Sequence, residues 1–175
     1  MSIRSLHKKE WFKLALLLTM AGIIFFLSSQ PGEDSSKVSG FFSVKVRYVL
    51  EEVLKLDVPG MVEQGFAGID HYVRKFGHFF EYFLLGLLAA NYFLCRLRST
   101  AKAKVFSVAF AFCAAYAASD EFHQRFVPAR GPSIKDVLLD SSAACVAVIV
   151  FLLLAKGKAD KNDYMTIKGE HRGQN

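Results

Sequence analysis

The apolar residues of this chain are gathered in blocks, and the charged residues lie between the blocks. The apolar blocks cover residues 11–27, 76–95, 105–118 and 137–155, and the third is expected to continue as a span to residue 126. A helix needs about 20 predominantly apolar residues to cross the hydrocarbon core of a bilayer. The pattern therefore predicts an all-α, polytopic membrane protein built as a bundle of four transmembrane helices.

The connection between the first two blocks has a different pattern. Apolar residues recur at helical spacing from Val38 to Leu56, and charged residues occupy many of the other positions. This pattern predicts an extracellular amphipathic helix over residues 37–57, which beside a membrane lies in the interface. The alternative is a lid that packs on the bundle without touching lipid. Asp70 is expected to cap the helix of the second span.

The basic residues indicate how the spans are oriented. With the N-terminus inside, thirteen of the 22 Lys and Arg residues fall in short inner segments and nine in outer loops. The positive-inside rule then places both termini in the cytoplasm. Residues 1–155 are assigned to the transmembrane domain, and the polar residues 156–175 are predicted to form a disordered cytoplasmic tail.

Composition changes this picture little. The chain is 53% hydrophobic and carries a net charge of +6. The basic residues flank apolar blocks and form no nucleic-acid motif, so nucleic acid is excluded as a partner and the lipid bilayer is the expected one. The oligomeric state is left open.

Acidic residues on three spans fall at one depth. Glu81 lies fifteen residues before Arg96, or about 22 Å from the inner boundary, and Asp120 and Asp140 come out at roughly 24 Å. An ionised group that faces lipid at this depth costs several kcal/mol. We therefore expect these side chains to face a shared polar cavity that opens to the outer surface.

Helical spacing and depth bring further polar residues into this set. The candidate catalytic residues are His78, Glu81, Asp120, Glu121, His123 and Asp140. The candidate substrate-binding residues are Ser29, Gln30, Arg74, Lys75, Tyr82, Gln124, Arg130 and Asp136. Histidine suits proton transfer, and guanidinium groups favour phosphates and carboxylates. His and carboxylate side chains also suit a divalent metal, so the cofactor is left unknown and a metal remains open.

Small residues on other faces of the spans predict close packing between helices. The pairs are Gly86 with Ala90, Ala114 with Ala118 and Ala144 with Ala147. Small side chains let the backbones of membrane helices approach each other.

The polar residues also carry a resemblance to a known family. Segments 28–31, 75–86 and 116–130, followed by Asp136 and Asp140, resemble the VanZ-like family, and the likeness extends over about residues 14–154. The third segment contains the long element Ser-Asp-Glu-Phe-His-Gln-x-Phe-Val-Pro. The chain has Ala129 where the family often has Gly, and Ala143 or Ala144 where the family often has Gly on the last span.

The resemblance implies a multi-pass protein of the bacterial cell membrane. The member that gives the family its name is an accessory protein linked to resistance to teicoplanin, a glycopeptide antibiotic with a fatty-acyl tail. A family name does not fix a reaction.

Three functions remain open from the sequence. The cavity could act on an amphiphilic cell-envelope molecule, namely a lipid-linked phosphate, a glycolipid or an acyl-glycopeptide antibiotic. It could instead bind lipid or protect the membrane surface without catalysis. In the third interpretation the polar cluster is purely structural. The sequence does not decide whether the protein is an enzyme.

Overall fold

The computed structural model describes residues 3–31, 67–97 and 101–172, and the side chains within residues 9–31, 73–97 and 101–155. The described residues form four α-helices and contain no strand. The helices are α1 (Ile3–Ser28), α2 (Ala67–Leu97), α3 (Lys102–Gln124) and α4 (Ile134–Arg172).

Each helix contains a segment that is long and apolar enough to cross a membrane. These segments are Lys9–Ser28, Val73–Leu97, Lys102–Gln124 and Ile134–Ala155. The predicted all-α fold with four transmembrane helices is confirmed. The amphipathic helix predicted over residues 37–57 lies outside the described residues.

The ends of the helices differ from the predicted ones by a few residues. Helix α2 begins at Ala67, so Asp70 lies in its first turn and is not the cap that the sequence predicts. Helix α3 ends at Gln124, and α4 already begins at Ile134. The backbone of α4 stays helical to Arg172, through most of the segment predicted as a tail. The cytoplasmic placement of that segment stays a prediction.

Helix α2 is the centre of the bundle. It contacts each of the other three helices and packs most extensively against α4, which also packs against α3. Helix α1 lies at the periphery and packs mainly against α2. Large apolar side chains such as Trp11, Phe26 and Leu154 are well exposed on the outside, as a surface that faces lipid requires.

Small residues let α2 and α4 approach closely. A Cβ atom added at Gly86 would lie 2.8 Å from the backbone oxygen of Ala144 and 2.9 Å from the Cβ of Ala147. The close packing predicted at Gly86, Ala144 and Ala147 is therefore present, and the structure adds that these residues contact one another. The prediction for Ala118 is wrong, because that residue is exposed and Ala117 is buried in its place.

The two ends of the bundle differ in their polar contacts. At the end where α2 finishes and α3 begins, Lys13 Nζ donates to the backbone oxygen of Asn91 at 3.4 Å, and Lys102 Nζ donates to that of Leu152 at 3.0 Å. The last residues of α1 and α3 and the first membrane-spanning residues of α2 and α4 meet at the other end. The acids and histidines predicted to share one depth lie there.

Candidate functional site

A polar pocket lies between α2, α3 and α4, beside the 125–133 connection. Its lining residues are Arg74, Lys75 and His78 from α2, Glu121 and Gln124 from α3, Ala129, Arg130 and Gly131 from the connection, and Asp136, Leu139 and Asp140 from α4. The volume is about 90 Å³. One water needs roughly 10–15 Å³ by the same measure, so the pocket has room for several waters or for a compact polar head group.

Basic residues surround the mouth of the pocket. Lys75 Nζ lies 2.8 Å from Asp136 Oδ1, and both side chains are about one-third exposed. The guanidinium of Arg130 donates to the backbone oxygen of Leu27 at 3.3 Å, which ties the connection to the end of α1. Burial, and then the neighbouring charge of Arg74, lowers the pKa of Arg130 from its usual value. An arginine nevertheless stays charged at neutral pH.

Two residues on the wall of the pocket hold helix ends in place. Glu121 Oε2 accepts a hydrogen bond from the backbone N–H of Ser133 at 2.8 Å, directly before α4 begins. A carboxylate at the start of a helix accepts a hydrogen bond from a backbone N–H that has no partner within the helix. Its negative charge is also stabilised by the positive end of the helix dipole. Gln124 Nε2 donates to Ser28 Oγ at 3.0 Å and to Asp120 Oδ2 at 3.3 Å, so it links α3 to the end of α1.

Several polar atoms along and beneath the pocket are buried without a hydrogen-bond partner in the part of the chain that the structure describes. They include His78 Nδ1, Glu81 Oε2, Tyr82 OH, Asp120 Oδ1 and Asp140 Oδ1. His78 Nδ1 is 3.6 Å from Glu81 Oε2, which is an ion-pair distance but too long for a hydrogen bond. Buried polar groups are nearly always paired in folded proteins, so these atoms call for water, a proton or a ligand.

The pocket brings together most of the residues predicted for a site. His78, Glu121, Gln124 and Asp140 line it, together with the basic residues and Asp136 at its mouth. Glu81, Tyr82 and Asp120 do not line it; they contact or interact electrostatically with residues that do. That these residues bind or transform a ligand stays a prediction.

His123 lies apart from the pocket. Its Nε2 is 3.3 Å from Ser29 Oγ, and its ring centroid is 4.6 Å from that of Phe25, so it packs against α1. Adjacent residues of a helix point about 100° apart, and His123 is therefore turned away from Gln124. Within the described residues, the side-chain amide of Gln30 donates to the backbone oxygen of Phe26. The structure does not bring Ser29, Gln30 and His123 into the cavity predicted for them.

No group of three His, Cys, Asp or Glu side chains within the described ranges is arranged to hold a metal ion. The carboxylates of the site are instead divided among several contacts. Glu121 binds the start of α4, Asp136 pairs with Lys75, and Asp120 accepts from Gln124.

The sequence interpretation missed three lining residues of the pocket, which are Ala129 and Gly131 of the connection and Leu139 of α4. Ala129 has a φ of 57°, in the left-handed region that favours glycine. Ser133 followed by Asp136 is a helix-capping sequence that signals where α4 begins. At Ala129, by contrast, the residue type does not indicate a left-handed backbone, because alanine rarely adopts one.

Comparison with known proteins bears on the whole bundle. The chain matches the family described as VanZ/LLP1 over residues 12–155, which include most of the first span, the other three spans and the pocket. No curated protein and no solved structure that was compared with the chain matches it. The family resemblance seen in the sequence is confirmed.

Proposed function

The chain belongs to the VanZ/LLP1 family of membrane proteins, and from this premise we propose that its pocket binds the polar head of an amphiphilic cell-envelope molecule. The candidate ligands are a lipid-linked phosphate, a glycolipid and an acyl-glycopeptide antibiotic. Asp140 carries the proposal. Its side chain lines the pocket and is 2% exposed, and its Oδ1 has no partner in the described part of the chain. A group from outside that reaches Asp140 would remove the cost of burying this oxygen.

The position of the pocket supports an amphiphile over a fully water-soluble ligand. It lies where the spans end, so a polar head can enter from the membrane surface while its tail stays in the hydrocarbon. Phe76 on α2 and Leu138 on α4 are 69% and 65% exposed, so two of the helices that line the pocket also present large apolar side chains on their outer faces, where an acyl chain can lie.

We further propose a bacterial cytoplasmic membrane as the location, with both termini in the cytoplasm and the pocket in the outer leaflet. The Lys and Arg distribution supports this orientation. The test uses single cysteines in a cysteine-free variant, one at Pro132 in the exposed connection and one within residues 156–175. A membrane-impermeant maleimide should label the first in intact cells and the second only after lysis. The reverse pattern would reject the orientation.

A catalytic function is the second candidate, and the His78–Glu81 pair favours it. The two side chains are 3.6 Å apart on one face of α2, and His78 lines the pocket. Histidine beside a carboxylate is suited to moving a proton to or from a bound ligand. If the protein is an enzyme, His78→Gln should retain the amphiphile but leave it chemically unchanged, whereas wild type converts it.

The purely structural interpretation accounts for some residues of the cluster. Glu121, Gln124 and the Lys75–Asp136 pair each make contacts that hold helix ends together. It does not account for Asp140, whose buried oxygen contributes no contact of this kind within the described residues.

Native mass spectrometry of protein purified from its own membranes tests the binding proposal. Wild type should carry a specific amphiphile, and Asp140→Asn should lose most of it. Ser142→Ala is the matched control, because Ser142 lies on the same helix, is exposed, and donates its hydroxyl to the backbone oxygen of Leu139 and not to a residue of the pocket mouth or floor that the structure describes. Cells that express Asp140→Asn should also lose any protection against an acyl-glycopeptide that wild type gives. Equal lipid profiles for all three proteins would defeat the proposal.

A further inference from the structure

We propose that the pocket recognises a zwitterionic head group, with a phosphate at the basic mouth beside Arg74 and a primary ammonium that reaches Asp140. The inference rests on the proposed function and adds the chemical class of the ligand. It follows from a change in the sign of the charge along the pocket. The mouth is lined by the basic residues Arg74, Lys75 and Arg130, and the floor is formed by the acidic Asp140.

The mouth favours an anion. Arg74, Lys75 and Arg130 line it, and the charge of Lys75 is matched by Asp136 at 2.8 Å. Arg74 forms no ion pair with another side chain in the described ranges, and it lies in the first turn of the second span, where a lipid phosphate would sit. A guanidinium binds phosphate with two parallel hydrogen bonds and is only weakly hydrated, so it suits this place.

The floor favours a cation. Asp140 lies one helical turn, or about 6 Å, further into the bundle than Asp136. Its side chain is almost completely buried, and its Oδ1 faces no described donor. Glu81 and Asp120, which are also acidic, act electrostatically on the same region. Five carboxyl groups and three permanent cations therefore lie in and beneath the pocket, and a ligand that is only anionic would leave Asp140 to be neutralised by a proton instead of by an ion pair.

A primary ammonium fits this floor better than a metal ion. An ammonium group has three N–H donors and can bind one carboxylate directly while it donates to other acceptors. A metal ion needs several ligands at once, and no such group of side chains is present where the structure describes the chain. Asp136 at the mouth and Asp140 at the floor are about one helical turn apart along α4, a rise of the order that a two-carbon linker between phosphate and amine can bridge.

Calorimetric titration of the purified full-length protein in detergent tests the inference. The probes are short-chain phosphatidylethanolamine, its N-acetylated form, phosphatidic acid with the same chains, and free phosphoethanolamine. The first should bind about tenfold more tightly than the second and third, because only it offers a charged donor to a buried carboxylate. These ligands are compared on wild-type protein, so the result does not depend on a variant that must fold.

Two variants locate the effect. Asp140→Asn should bind the three lipids with similar affinity, and Arg74→Gln should weaken all three; Ser142→Ala should behave like wild type. Free phosphoethanolamine should bind more weakly than the lipid. If it binds as tightly, the head-group inference stands but the proposed amphiphile is wrong. If the three lipids bind wild type equally well, the ammonium inference is refuted while amphiphile binding stands. If no lipid binds, the proposed function itself fails.

Discussion

Replacing Gly86 with alanine tests whether α2 and α4 meet as closely as the structure has them. A Cβ atom at this position would lie 2.8 Å and 2.9 Å from the backbone oxygen and Cα of Ala144. It would also lie 2.9 Å from the Cβ of Ala147. All three neighbours are backbone atoms or a methyl group fixed to the backbone. No flexible side chain can move away, so the helices must separate.

The expected size of the effect follows from two opposing contributions. Overpacking a tight contact costs about 1–3 kcal/mol. Replacing glycine by alanine within a helix stabilises it by roughly 0.5–1 kcal/mol. Gly77 lies on the same helix, and a Cβ atom added there would meet no described atom within 4 Å. Gly77→Ala should therefore gain the helix stabilisation without the cost of overpacking. The difference in unfolding free energy between the two variants should therefore be about 1–3 kcal/mol, with Gly86→Ala the less stable.

Thermal unfolding in detergent, followed with a thiol-reactive dye, measures this difference. With the partly exposed Cys95 and Cys145 replaced by serine, the remaining free thiol is that of Cys113, which is buried in the core and reacts when the bundle opens. Gly86→Ala should also bind the amphiphile less tightly, because a shift of α2 against α4 changes the position of Lys75 relative to Asp136. If both variants melt at the same temperature, or Gly86→Ala melts higher, the close approach of the two helices is refuted.

Three further changes test the connection and the mouth of the pocket by the same melting assay. Ala129→Gly should stabilise the protein by about 1 kcal/mol, because its φ of 57° is strained for alanine; a lower melting temperature would count against that backbone geometry. Glu121→Ala should cost about 0.5–2 kcal/mol through the lost bond to the N–H of Ser133, and Glu121→Gln should cost less because it keeps an acceptor. A double-mutant cycle with Lys75→Met and Asp136→Asn should give a coupling of about 0.2–1 kcal/mol, since both groups are partly exposed; a coupling near zero would mean that the pair is screened by water.

Much of the architecture follows from the sequence because the bilayer constrains it. Hydrocarbon cannot satisfy backbone N–H and C=O groups, so each long apolar block has to be helical. The depth of Glu81, Asp120 and Asp140 follows from the rise per residue, and the structure places all three at the same end of the bundle. The family also follows from the sequence, because its motifs lie on these same segments.

Helix rotation could not be predicted with the same accuracy. His123 shares a turn with Asp120 and Gln124, yet it packs against Phe25 and Ser29 of α1. Two faces of one helix that point about 100° apart can both carry polar side chains. The sequence alone does not show which neighbouring helix each face packs against. For the same reason Ala117 is buried and Ala118 is exposed.

The sequence by itself thus determined the number of spans, the family and the depth of the polar residues, because these depend on distances along one helix. Only the tertiary structure decided which polar side chains share a pocket, because that depends on how the helices are rotated and how closely they approach. Gly86 sets the approach of α2 to α4, and Glu121 fixes the start of α4 through the N–H of Ser133. These contacts join separate elements of the chain, and together they leave the buried oxygen of Asp140 beside a space that a ligand can fill.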